Sequence, residues 1–117
     1  MPARQLDITI EQGTTFVLNA VWKDSTGTPV DLTGYTAKMQ ARWTYADANA
    51  LVTFTTADNT ITLGGINGTI TITGMATLPG VTKPRTGVYD LELTQTSTGK
   101  VTRLLQGSAF ISPEVTK

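Results

Sequence analysis

The chain has 117 residues with nine basic and nine acidic side chains, so no net charge draws it towards nucleic acid or an anionic membrane. It contains neither Cys nor His, which removes disulfides, the usual zinc and haem ligands, the thiol nucleophile and the commonest general base, and with them most compact catalytic constellations. The length fits one domain, 1–117, large enough to bury a core without staples.

No apolar run approaches the roughly 20 residues of a membrane span. Met1-Pro2-Ala3-Arg4-Gln5 leads into no apolar signal segment, so the expectation is a soluble protein made inside a cell. Threonine occurs 24 times and charged residues make up only 15%, a balance that favours pleated surface over helix. Gly and Pro are dispersed as turn markers between short strands, and no repeat or linker divides the chain.

In chain order, Leu6 to Ile10 is a short first strand placed at an edge. Thr15 to Lys23 sets Phe16, Leu18, Ala20 and Trp22 on one face, while Val17 and Val21 on the other predict cover on both faces. Lys23 to Pro29 reverses the chain. Asp31-Leu32-Thr33-Gly34 reads as a turn in which Leu32 plugs the core and Asp31 or Thr33 caps the bend ending at Gly34. Tyr35 to Trp43 alternates strictly, odd positions apolar and even positions polar, which makes one face core and the other wet. The stretch 44–50 is a connection. Thr60–Leu63 and Thr69–Thr73 form a hairpin, with Asn67-Gly68 as its type I′ turn. Met75 to Leu78 connects onward to Pro79-Gly80. Val88 to Leu93 and Val101 to Leu105 make a second hairpin around Thr98-Gly99-Lys100, and Phe110-Ile111 extends the last strand towards Pro113. Seven or eight such strands fit an all-β, immunoglobulin-like antiparallel β-sandwich better than a small closed barrel. Trp22, Trp43 and Tyr89 are its principal aromatic core residues, and the strands near Leu6 and Ile111 are its candidate open edges.

Each motif with a chemical reading has a stronger structural one. Asp24-Ser25-Thr26-Gly27 has one residue too many for the catalytic loop of an aspartic protease and reads as a turn. Asp90 and Glu92 share a wet strand face and pair across strands with Arg103. Gly64-Gly65-Ile66-Asn67-Gly68 lacks the Lys-Ser/Thr of a phosphate-binding loop. Lys83-Pro84-Arg85 is a basic spot without interleaved aromatics, and Asn67-Gly68-Thr69 is a glycosylation acceptor without a secretory context. No residue is assigned as catalytic, cofactor-binding or metal-binding. Tyr45 and Trp43 form the one plausible aromatic platform for a sugar.

The stretch from Glu11 to Arg42, above all Trp22 to Tyr35, resembles a group of small proteins of tailed bacteriophages and prophages. Gly87 to Leu93 and the tail from Gly107 through Pro113-Glu114-Val115-Thr116 resemble the same group. The Gly-x-Pro-Val-Asp-Leu-Thr-Gly pattern is also similar to the N-terminal β-sandwich of upper baseplate proteins of phages that infect Gram-positive bacteria. The resemblance implies a non-enzymatic virion component of the tail, baseplate or neck, made in the host bacterial cytoplasm, whose partners are other virion proteins; homo-oligomers of the chain itself stay an open alternative. Capsid decoration and carbohydrate binding are the alternatives.

Overall fold

The computed structural model describes residues 4–78 and 81–114. Among these residues nine strands follow one another: β1 (Arg4–Gln5), β2 (Ile8–Glu11), β3 (Thr15–Val21), β4 (Tyr35–Arg42), β5 (Val52–Thr55), β6 (Ile61–Leu63), β7 (Thr69–Met75), β8 (Arg85–Gln95) and β9 (Val101–Ser112). They form the two packed sheets of a β-sandwich. The large sheet runs β1-β9-β8-β4-β5 with β2 also on β9, and the small sheet runs β3-β7-β6. No helix among the described residues is long and apolar enough to cross a membrane.

The alternation read in β4 is what seats it. Ala37, Met39 and Ala41 are buried while Thr36 and Lys38 are exposed, and β8 beside it buries Gly87, Tyr89, Leu91 and Leu93 in the same phase. From the small sheet, Phe16, Ile61, Ile70 and Ile72 close on this layer. Phe16 stacks on Phe54 with ring centroids 5.6 Å apart, which ties β3 to the edge strand β5 across the sandwich. Leu32 enters the core from the connection before β4 and is 2% exposed. Its turn is built as the sequence predicts: the Thr33 amide donates to Asp31 Oδ1 at 2.9 Å, and Gly34 takes a φ of +84°, which suits glycine.

The sandwich departs from expectation in particular places. Val52–Thr55 was not foreseen as a strand, because it carries one buried apolar residue, Phe54, in only four positions. The hairpin β6–β7 forms as read, but Asn67-Gly68 is not its type I′ turn. Gly65–Asn67 make one 3₁₀ turn, and of the Asn67-Gly68 pair only Gly68 has a positive φ, whereas a type I′ turn needs both central residues there. Val17 and Val21 are 55% and 49% exposed, so β3 is covered on one face only. The first strand divides in two, because Asp7 turns its carboxylate to accept the Ser108 amide at 3.1 Å. Both pieces run parallel to β9. This makes β9 an interior strand, with Ile111 fully buried, so the edge expected near Ile111 does not exist. Trp22 and Trp43 are half-buried flanks of the core, and Tyr89 is the fully packed member of the aromatic trio at 3% exposure. Pro79-Gly80 and Val115-Thr116 lie outside the described residues.

Candidate interaction surfaces

Three of the acidic side chains raised or passed over in the sequence organise turns. Asp24 Oδ1 accepts from the Thr26 amide at 2.9 Å, the Thr26 hydroxyl at 2.6 Å and the Thr28 amide at 3.0 Å. Asp58 does the same for Thr60, amide at 2.9 Å and hydroxyl at 2.5 Å. With Asp31 these form a recurrent Asp-x-Thr device, in which a short acidic side chain takes the place of a backbone carbonyl in the bend. Donation from the threonine hydroxyl holds each of the three carboxyls below the ordinary 3.8. The sequence reading named Asp24 and Asp31 but missed Asp58, although Asp58-Asn59-Thr60 repeats the spacing.

On the outer face of the large sheet, Arg103 Nε lies 3.3 Å from Asp90 and 3.8 Å from Glu92, the cross-strand pairing read from the sequence. A register shift in β8–β9 next to Glu92 sets Arg103 opposite it. All three side chains are a third to a half exposed, so the pairing orients them more than it stabilises the sheet. Beside them Arg42 donates to Gln40 Oε1 and to the Asp47 carbonyl, both at 2.9 Å, and pins the 44–50 loop onto the sheet. Tyr45 projects from that loop, 80% exposed. The result is an open depression of about 260 Å³ with Tyr45 as its wall and Gln40, Arg42, Asp90, Glu92 and Arg103 across its floor.

Trp43 does not join Tyr45 in a shared platform. The Arg85 guanidinium sits 4.6 Å above its ring centroid, so one aromatic face is covered by a cation. No aromatic is interleaved with Lys83-Pro84-Arg85 in the sequence; the ring that meets Arg85 lies 42 positions away and reaches it only through the fold. The Gly64–Gly68 segment holds the connection to β4 in place: the Leu32 amide donates to the Gly65 carbonyl at 2.9 Å.

Tyr89 projects from β8 between the layers, opposite Gly107 of β9, and its hydroxyl donates to the Leu6 carbonyl at 2.5 Å. Glycine is required at 107 because a Cβ there would collide with that same carbonyl. Burial, with the Asp7 carboxylate nearby, raises the phenol from 10.0 to about 12. The contact fastens the break between β1 and β2 onto the sheet.

The lateral side of the sandwich where the chain starts carries a second, smaller cleft. Leu6, Leu104 and Leu105 line it together with Arg4, and the edge strand β3 bounds it through Asn19, Ala20 and Val21. Its volume is about 170 Å³. No protein-family model matches this chain, and no curated protein matches it.

Proposed function

We propose that this protein is a non-enzymatic docking component of a bacteriophage virion, a small adaptor of the tail, baseplate or neck that binds other virion proteins. The observation that carries this reading is the resemblance to small tailed-phage proteins on three separated stretches, Glu11–Arg42, Gly87–Leu93 and the tail from Gly107. Those stretches supply β3, β4, the centre of β8 and the second half of β9, so the likeness follows the framework of both sheets and is not confined to one loop. The surface accords with docking. Asp24, Asp31 and Asp58 are engaged in turns and Asp90 and Glu92 in a cross-strand pairing, and its open features are sheet faces, loop ends and strand edges.

Cryo-electron microscopy of the intact particle tests the assignment. Density for the sandwich on the tail, baseplate or neck is the expected result. Density on capsomers would convert the protein into a capsid decoration protein, and absence from the particle would end the virion reading.

A second reading rests on Tyr45. An exposed ring above a depression lined by amide, guanidinium and carboxylate groups is the chemistry with which β-sandwiches hold sugars. A glycan array comparing the native chain with Tyr45→Ala separates the two: binding that depends on Tyr45 favours carbohydrate recognition, and no binding leaves the docking role.

A further inference from the structure

Two sheets leave four lateral edges, and three of these carry a feature that obstructs pairing. The β1/β2 edge is interrupted at Asp7 and carries the exposed charges Arg4 and Glu11. On β5, Thr60 occupies the free side: its hydroxyl oxygen accepts the Thr55 amide at 2.9 Å and lies 3.3 Å from the Thr55 carbonyl. The β6 edge is three residues long.

The fourth edge, β3, has none of these. It runs seven residues, Thr15–Val21, without a charge or a proline. The ladder bonds that flank it, Trp22 amide to Gly68 carbonyl and Ala76 amide to Thr14 carbonyl, place the even-numbered residues of β3 in the hydrogen-bonded pairs with β7. The backbone amides and carbonyls of Thr15, Val17, Asn19 and Val21 therefore point away from the sheet, and all four residues are exposed. An unguarded edge of this length is a template for a further strand.

The surroundings state what that strand must be. The cleft beside β3 has the apolar floor Leu6, Leu104 and Leu105, which suits alternate apolar side chains of an added strand. Arg4 borders the cleft, and Arg4 and Lys23 together line the surface on the other side of the β3 edge. Neither forms an ion pair with another described residue; the ion pairs among the described residues all belong to Arg103. We infer that the β3 edge receives an extended, carboxylate-bearing segment of a partner protein as a fourth strand of the small sheet. β3 itself carries no carboxylate, so the carboxylates that meet Arg4 and Lys23 come from the added segment. The inference deepens the docking reading and rests on it for the class of partner.

The test uses a seven-residue capped peptide of alternating valine and threonine with a glutamate at each end, and a twin with lysine at each end. Hydrogen exchange at saturating glutamate peptide is expected to slow at the Thr15, Val17, Asn19 and Val21 amides by about tenfold or more, with the β5 and β1/β2 edges unchanged. Val17→Glu, on an exposed site, is expected to weaken the effect at the glutamate peptide without lowering the melting temperature. Asn19→Pro is expected to do likewise, because it removes an amide that β7 does not use. Absence of slowing, or equal slowing by the lysine peptide, overturns the proposal. Protection that grows with protein concentration alone would assign the edge to a second copy and overturn it too. The particle experiment reads location only, so either result can fail without the other.

Discussion

Tyr89 joins three parts of the molecule through one side chain: its ring fills the core, its backbone pairs with β9, and its hydroxyl holds the Leu6 carbonyl. Tyr89→Phe should cost about 1–2 kcal/mol at neutral pH, measured by urea unfolding, because a hydrogen bond is lost from a packed site. The raised phenol also gives a signature at high pH. The unfolded chain loses this proton near 10 and the folded chain near 12, so the stabilisation is complete below pH 10 and disappears between 10 and 12. Unfolding free energy should fall by about 2–3 kcal/mol more across that window in the native protein than in Tyr89→Phe. At the acid end the sign is reversed. Asp24, Asp31 and Asp58 are held below the ordinary 3.8, so what they contribute is present above that value and is lost as the pH falls through their lowered ones. Melting temperatures at about pH 5 and about pH 2 should differ less in Asp58→Asn than in the native chain, since the amide keeps the bend but carries no charge to lose.

Among the elements, the parts legible in sequence are those whose side chains alternate for long enough to be read. Tyr35 to Trp43 and Val88 to Leu93 give the central strands of the large sheet directly, and Asp31 to Gly34 gives its turn down to the Asx hydrogen bond. Val52–Thr55 was hidden because an edge strand with one buried residue leaves no period to see. The parallel attachment of β1 and β2 to β9 was hidden for another reason, since no local pattern reports pairing between the two ends of a chain. Thr60 marks what such strands need in return. Thr60→Val should lose about 1–2 kcal/mol and uncover the β5 edge, seen as concentration-dependent association by sedimentation. Gly107→Ala should cost about 1–3 kcal/mol, because the new methyl group meets the Leu6 backbone and not a yielding side chain. Faster exchange confined to the Leu6, Ile8 and Ile10 amides would locate the damage.

For the molecule as a whole, the sandwich was legible and the surfaces were only half so. Asp90, Glu92 and Arg103 were found because they share one strand face or lie opposite on the neighbouring strand, whereas the Arg85–Trp43 stack and the cleft beside β3 depend on segments that meet only after folding. The β2 edge supports one further prediction. The Leu6 amide bonds the Gln106 carbonyl and the Gln12 amide bonds Ser112, so even-numbered residues face β9 and the Thr9 amide faces away. Thr9→Pro should therefore melt within a few degrees of the native protein and, because the interrupted β1/β2 edge is not the docking edge, enter particles as well as the native chain, as measured by its abundance in purified virions; reduced abundance would add β2 to the docking surfaces.

The parallel run of β1 and β2 along β9 sets how the domain bears tension. A pull applied between Arg4 and Ser112 drags the two strands past each other lengthwise, so their cross-links are strained together and not peeled one by one. Rupture then requires a concerted slip against the Leu6 clasp, and a molecule mounted by its two ends would yield as a stiff coupling, not as a zip.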